Sequence, residues 1–131
     1  MEELLIDHVS IAVRDLAACG TFYEAVLAAL GYKRIVTRPG TIGFGKKYPE
    51  FWLNERRDAA PVERDCGAHI ALRAMDAAAV QAFHAVALAT GGKSFGAPGP
   101  RPEYTAGYYA AFVRDPEGNG IEAVTFTAGR A

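Results

Sequence analysis

Three residues of this sequence have side chains that bind divalent metals and stand in segments typical of β-strands. His8 opens the alternating run at residues 9–13, and His69 opens a similar run at residues 70–72. Glu122 has apolar neighbours on both sides, where an ionised carboxylate is costly unless it is paired or bound to a cation. Two imidazoles and one carboxylate suit Fe, Mn, Zn, Ni or Co and leave coordination positions open. The three residues are therefore candidate ligands of one divalent metal ion.

The two histidines occupy equivalent places in an internal repeat. The offset between them is 69 − 8 = 61 residues. The same offset relates Asp15 to Asp76, Phe22 to Phe83, Leu27 to Leu88 and Gly31 to Gly92. A constant offset held over about two dozen residues indicates a duplicated unit. If the two copies pair about a pseudo-twofold axis, their first strands approach each other and bring His8 and His69 together.

Each candidate ligand also has a structural interpretation. A single histidine in a strand is more often a hydrogen-bonded strand residue than a ligand, and two at equivalent positions favour the metal. Glu122 is alternatively an edge-strand glutamate that faces solvent. The apolar residues Ile121, Val124 and Phe126 around it favour the ligand interpretation.

The sequence pattern of each copy predicts a strand, a helix and three further strands. Asp15 and Asp76 are predicted helix N-caps, and Gly31 and the Gly91-Gly92 pair are predicted helix ends. The predicted helices cover residues 17–30 and 77–90, and the later strands lie near 32–37, 41–45, 50–54, 93–96, 107–114 and 119–127. The Gly- and Pro-rich stretch between Gly96 and Gly107 is predicted to be a loop. We expect one domain over residues 1–131, with module 1 at about 4–55, a linker at about 56–66 and module 2 at about 67–127.

The composition excludes several classes of partner. There are 14 Lys+Arg against 15 Asp+Glu, and the net charge of -1 argues against a nucleic acid or an anionic membrane surface. No apolar run approaches the roughly 20 residues of a membrane span. Cys19 and Cys66 lack a His or CxxC neighbour and are expected to be small buried or half-buried side chains rather than a disulfide or a nucleophile. Two cysteines without a secretory segment favour a cytoplasmic protein.

A strong turn sequence, Asp-Pro-Glu-Gly-Asn-Gly at residues 115–120, directly precedes the strand that carries Glu122. With Asp7-His8-Val9, the Phe22-Tyr23 and Leu30-Gly31-Tyr32 segments, and His69, this turn makes the sequence resemble the vicinal oxygen chelate family. That family includes glyoxalase I, bleomycin-resistance proteins, fosfomycin-resistance transferases and extradiol dioxygenases. The resemblance spans nearly the whole chain.

The resemblance implies an α+β fold in which two βαβββ modules form a cupped, eight-stranded mixed sheet with helices on the convex face. It implies metal ligands on the first and fourth strands of each module, which correspond here to His8, His69 and Glu122. The fourth place falls near Trp52, where glyoxalase I has a carboxylate and residues 51–54 are Phe-Trp-Leu-Asn. Members of two modules often form homodimers, in some of which the site is shared between chains.

The His, His, Glu set is similar to the Fe(II) ligands of extradiol dioxygenases. Those enzymes add a tyrosine and an acid-base histidine, whose places here correspond to Phe112 and to residues 52–54. The family mechanism is chelation of two neighbouring substrate oxygens by the metal. The resemblance therefore implies a metal-dependent enzyme, either dioxygenase-like or lyase- or isomerase-like. The alternative is a non-catalytic small-molecule binding protein of the bleomycin-resistance type.

Five further residues are candidates for substrate binding. Trp52 and Phe44 are predicted to form aromatic walls of the pocket, and Arg101, Tyr104 and Tyr108 to recognise an anionic or hydroxylated small molecule. The alternatives are a core position for Trp52, a solvated loop charge for Arg101, and tyrosines that cover the sheet edge.

Overall fold

The structure is a computed structural model that describes residues 4–63 and 65–127. Module 1 contains β1 (Val9–Val13), α1 (Leu16–Ala28), β2 (Lys33–Arg38), β3 (Thr41–Gly45) and β4 (Phe51–Glu55). Module 2 contains β5 (His69–Arg73), α2 (Ala77–Ala89), β6 (Lys93–Pro100), β7 (Tyr108–Arg114) and β8 (Gly120–Phe126). The two modules therefore have the same order of elements.

Each module forms a four-stranded mixed sheet. The strand orders are β1-β4-β3-β2 and β5-β8-β7-β6, so that the first and fourth strands of each module are neighbours. These two strands are parallel, and the remaining pairs are antiparallel. The predicted α+β fold of two βαβββ modules is confirmed, with the eight strands hydrogen-bonded as two sheets.

The helix boundaries follow from the capping residues that the repeat identifies. The side chains of Asp15 and Asp76 accept hydrogen bonds from the backbone N–H groups of Ala18 and Ala79, at 3.0 and 2.8 Å. These carboxylates satisfy N–H groups that have no partner within the helix. After α1, Gly31 adopts a φ of 85°, which a residue with a side chain rarely takes.

The hydrophobic core lies between the two helices and one face of each sheet. Phe22 of α1 and Phe83 of α2 are fully buried in the same cluster as Leu53 of β4 and Ile121 of β8. Because side chains alternate along a strand, the neighbours of these strand residues point to the opposite side of the sheet. We call that side the helix-free face of each module.

The predicted loop between Gly96 and Gly107 is partly wrong, because β6 continues through residues 97–100 before the chain leaves the sheet. The pairing with β7 shifts register between Ser94 and Gly96 and again between Gly96 and Gly99. β6 lies at the edge of its sheet, where proline removes no hydrogen bond to a second neighbour. An irregular edge strand thus accommodates a composition that a central strand could not.

None of the helices in the described part of the chain is long and apolar enough to cross a membrane.

Candidate functional site

His69 and Glu122 meet on the helix-free face of module 2. Glu122 lies opposite Ala71 of β5 and Phe112 of β7, and His69 lies opposite Gly120 of β8. Paired residues point to the same side of a sheet, so the imidazole and the carboxylate share one face. The period-two pattern of these strands therefore positions both side chains.

Both carboxylate oxygens of Glu122 have partners. Oε1 lies 2.9 Å from Nε2 of His69, and Oε2 accepts a hydrogen bond from the hydroxyl of Tyr108. Glu122 is 2% exposed, whereas the side chain of His69 is 47% exposed. A carboxylate buried this deeply is stable only with such partners. The half-exposed imidazole leaves the group accessible from solvent.

His8 does not join this pair within one chain. Its Nδ1 lies 2.8 Å from the carboxylate of Asp7, and its side chain is 52% exposed. Over residues 4–63 and 65–127, no group of three His, Cys, Asp or Glu side chains converges as a metal site. The structure thus brings together two of the three predicted ligands.

The packing of the two modules accounts for the separation of the histidines. Asn119, which directly precedes β8, donates a hydrogen bond to the carbonyl of Ala12 at the end of β1. The start of β8, and with it His69, therefore lies beside the end of β1. His8 is four residues before Ala12, or about 13 Å along an extended strand at roughly 3.3 Å per residue. The pseudo-twofold axis consequently places the two imidazoles toward opposite ends of β1.

The turn at residues 115–119 holds this junction in place. The carboxylate of Glu117 accepts hydrogen bonds from the backbone N–H groups of Arg14 and Asp15, at 2.6 to 2.7 Å. Burial raises the pKa of Glu117, but hydrogen bonds from the N–H groups of Asp15 and Arg14 outweigh it, so the pKa is lowered. The negative charge of Glu117 therefore contributes to the attachment of module 2 to the start of α1.

A second contact of this turn is fully buried. The hydroxyl of Tyr23 in α1 donates a 2.7 Å hydrogen bond to Oδ2 of Asp115. Burial and, next, the negative charge of Asp115 raise the pKa of Tyr23, which stays protonated and remains a donor. This turn sequence, on which the resemblance partly rests, therefore connects the two modules.

Trp52 occupies the position on the helix-free face of module 1 that the glyoxalase I carboxylate would take. It lies opposite Ser10 of β1 and Gly43 of β3. The guanidinium of Arg38 lies 5.9 Å from the centre of its ring. Beside it, Asn54 accepts a 3.2 Å hydrogen bond from Thr41. An indole therefore stands here in place of an oxygen ligand.

Phe44 lies on the opposite side of the same sheet. It pairs with Phe51 and is fully buried in the core. It also lines a cavity of about 280 Å³ between the modules, together with His8 and residues 70–73. Phe44 and His8 thus line one cavity, and Glu122 is not among its lining residues.

The three candidates from the loop region lie near Glu122. Tyr104 packs edge-on against Tyr108 at 5.1 Å between ring centres, and Tyr108 donates to Glu122 as described. The guanidinium of Arg101 lies 5.5 Å from the centre of the Phe112 ring. The structure therefore places all three on or beside the helix-free face of module 2.

Two arginines on this face are not among the predicted site residues. Arg73 lies 4.9 Å from the ring centre of Phe126, and Arg114 lies 4.5 Å from that of Phe95. The signal was present in the period of the strands, because Arg73 is four residues after His69 and Arg114 is two residues after Phe112. Residues at even separations in a strand share a face.

Comparison with known proteins agrees with this architecture. The sequence model of the Glyoxalase/Bleomycin resistance protein/Dioxygenase superfamily matches residues 5–123. None of the curated proteins matches the chain.

Solved structures of this type superpose over most of the chain. A glyoxalase/bleomycin resistance protein from Albidiferax ferrireducens T118 is 29% identical, with a TM-score of 0.82 over 92% of this chain and 98% of that one. A glyoxalase/bleomycin resistance protein/dioxygenase family enzyme from Burkholderia phytofirmans PsJN is 20% identical, with a TM-score of 0.70 over 92% and 97% of the two chains. The chain belongs to the glyoxalase/bleomycin resistance protein/dioxygenase superfamily.

Proposed function

We propose that the protein is a metal-dependent enzyme that acts on a small substrate chelated through two neighbouring oxygen atoms. The observation that carries the proposal is the buried carboxylate of Glu122 facing Nε2 of His69 at 2.9 Å. Two ligand atoms about 2.1 Å from a metal and about 90° apart are separated by about 3.0 Å. The donor set and the separation therefore fit two adjacent ligands of one divalent ion such as Fe, Mn, Zn, Ni or Co.

We assign the third ligand to His8 of a second copy of the chain. His8 is half exposed and lies toward the far end of β1 from His69 of its own chain. It lies two residues after an exposed apolar segment, in which Leu4, Leu5 and Ile6 are 80, 98 and 64% exposed. Apolar surface of this kind favours association, and a twofold dimer would contain the same contact twice. This arrangement supports a homodimer with two sites.

The chain's own residues supply the surroundings that such a reaction needs. When bound, the metal supplies Lewis acidity that stabilises negative charge on the chelated substrate oxygens. The hydroxyl of Tyr108 holds Oε2 of Glu122 and so orients the carboxylate, in the way that outer hydrogen bonds orient metal ligands. Burial of Glu122 excludes water from its carboxylate, and the half-exposed imidazole of His69 leaves the pair accessible to a substrate from solvent.

The superfamily chemistry has two branches that this site can serve, one dioxygenase-like and one lyase- or isomerase-like. Catechols with O₂ test the first branch after anaerobic loading with Fe(II), and hemithioacetals test the second. Phe112 stands where dioxygenases of the family carry a tyrosine, but Tyr108 of the same strand reaches Glu122 instead. A tyrosine hydroxyl is thus available beside the carboxylate for either branch.

A second candidate function is binding of a small molecule without catalysis. The cavity of about 280 Å³ between the modules favours it, because its walls include Phe44, Phe51 and Ile70. The hydrogen bonds to both oxygens of Glu122 also satisfy the carboxylate without a metal. The metal content of the purified protein distinguishes the two functions, because only the enzyme proposal requires a stoichiometric metal ion.

Metal analysis tests the proposal directly. We expect about one metal ion per chain in protein purified without chelator or affinity-tag nickel, and a loss of metal in His8→Ala and Glu122→Ala. His84→Ala is the matched control. His84 lies in α2 and contacts Ser94 of β6, so its replacement should leave the metal content unchanged. A parent protein without stoichiometric metal, or a Glu122→Ala variant that keeps it, would contradict the enzyme proposal.

The cellular setting that we propose is the cytoplasm. Cys19 and Cys66 are both free, and Cys66 is exposed. Exposed free thiols are typical of a reducing compartment.

A further inference from the structure

The guanidinium of Arg101 is held in a fixed position by main-chain carbonyls. Its Nη1 donates to the carbonyls of Gly99 and Pro100 at 3.0 and 3.2 Å, and its Nη2 donates to the carbonyl of Ala97 at 2.8 Å. These bonds use three of the five N–H donors of an arginine. Two donors therefore remain on a charged group that the loop has already oriented.

The positive charges of this face exceed the negative ones. Arg73, Arg101 and Arg114 each lie over an aromatic ring. None of them forms a salt bridge in the described part of the chain. The nearby carboxylate of Glu122 is already bonded to His69 and Tyr108. Low-dielectric walls around unpaired cations favour an anionic ligand.

Aromatic rings lie in two groups on the face beside Arg101. Phe95 lies 5.6 Å from Phe112, and at the other end of the face Tyr108 lies 5.3 Å from Phe126 and 5.1 Å from Tyr104, between ring centres. The ring planes of these pairs meet at 50°, 80° and 84°, so the face presents ring edges as well as ring faces. An aromatic ligand packs edge-on or offset against such rings. A flexible aliphatic chain would use this surface less well.

Phe112 connects the arginine with the proposed metal ligands. Its ring centre lies 5.5 Å from the guanidinium carbon of Arg101 and 6.2 Å from the ring centre of His69. A molecule that reaches from Arg101 toward His69 therefore needs an extent of about one aromatic ring.

We propose that the substrate is a planar carboxylate, of the aryl or enol type, whose carboxylate binds Arg101 and whose planar body packs against Phe112 toward His69. The proposal rests on the proposed function only for the direction in which the substrate points. Planar anions and the guanidinium fork match in geometry, so the two remaining donors of Arg101 recognise the carboxylate.

Calorimetric titration of metal-free protein with benzoate tests the proposal apart from the metal. We expect saturable binding of benzoate, and binding at least about tenfold weaker for the neutral isostere benzamide. Cyclohexanecarboxylate, which is charged but not flat, should also bind more weakly than benzoate.

Variants assign the site to Arg101. We expect Arg101→Gln to weaken benzoate about tenfold and Arg101→Lys to weaken it less. Arg57→Gln is the control, since Arg57 is 79% exposed and pairs with Glu55 in module 1. Absence of benzoate binding by the parent, equal binding of benzamide, or unchanged affinity in folded Arg101→Gln would overturn the proposal. Because no metal is present, benzoate binding can hold even if the metal proposal fails.

Discussion

The two modules share one topology but differ in the side chain at the centre of the helix-free face. Ser10 pairs with Trp52 in module 1, and Ala71, its equivalent at the offset of 61, pairs with Glu122 in module 2. Trp52 and Glu122 therefore occupy equivalent positions on their fourth strands. Duplication preserved the backbone and placed an indole in one copy and a carboxylate in the other.

The residues that face these positions from the third strand of each module also differ in size. Gly43 lies opposite Trp52, whereas Phe112 lies opposite Glu122. A Cβ atom on Gly43 would come within 2.9 Å of the Trp52 ring. In module 1 the side chain of Trp52 alone thus fills the space over Gly43. In module 2 the equivalent space holds both the Phe112 ring and the Glu122 carboxylate. Module 2 therefore carries the buried polar pair of Glu122 and His69 on its helix-free face, and module 1 carries an indole at the equivalent position.

One equivalent pair of the helices that differs is Tyr23 in α1 and His84 in α2 (23 + 61 = 84). Tyr23 is fully buried against Asp115 of the other module, whereas His84 contacts Ser94 of its own module. We predict that Tyr23→Phe lowers the free energy of unfolding by about 2 kcal/mol, because the buried carboxylate of Asp115 loses a donor. His84→Phe should lower it by less than about 1 kcal/mol.

Urea denaturation of the two variants checks this prediction. Equal losses of stability would show that the junction contact contributes no more than an ordinary surface contact. A larger loss in His84→Phe would contradict the assignment of the junction to α1.

The turns before the fourth strands differ in charge. With Trp52 matched to Glu122 the offset is 122 − 52 = 70, so Lys47 corresponds to Glu117. Lys47 lies over the ring of the exposed Tyr48, whereas Glu117 binds the start of α1. We predict that Glu117→Gln lowers the free energy of unfolding at pH 7 by about 1 kcal/mol and that Lys47→Gln leaves it unchanged.

The pH dependence sharpens this comparison. The pKa of Glu117 is lowered from its ordinary value of 4.5, so its contribution to stability is full above pH 4.5 and is lost as the pH falls through the lowered pKa. The parent should therefore lose more stability than Glu117→Gln over that acid range. If the denaturation midpoints of the two proteins fell in parallel from neutral to acid pH, the negative charge of Glu117 would not contribute to stability.

Much of the fold follows from local patterns in the sequence. The offset between His8 and His69, the caps Asp15 and Asp76, and the alternation around Glu122 are local signals, and the structure confirms the two modules that they predict. Alternation also explains why His69 and Glu122 share a face, because each side chain follows the period of its own strand.

The separation of His8 from His69 could not be predicted, because a repeat defines equivalent residues but not where the symmetry axis crosses the strands. That point depends on the docking of Glu117 and Asn119 onto α1 and β1. The end of β6 was missed for a related reason, since only the edge position of the strand makes Pro98 and Pro100 acceptable. The charge on the helix-free face was missed because Arg73 and Arg114 come from two strands that are distant in sequence.

Heterodimers of His8→Ala and Glu122→Ala chains test the central claim most directly. In a shared site, the His8→Ala chain contributes His69 and Glu122, and the Glu122→Ala chain contributes His8. We predict no stoichiometric metal in either homodimer and one metal ion per heterodimer, isolated with two different tags and analysed for metal content. A heterodimer without metal, or a His8→Ala homodimer with a full complement, would contradict a metal site built from two copies of the chain.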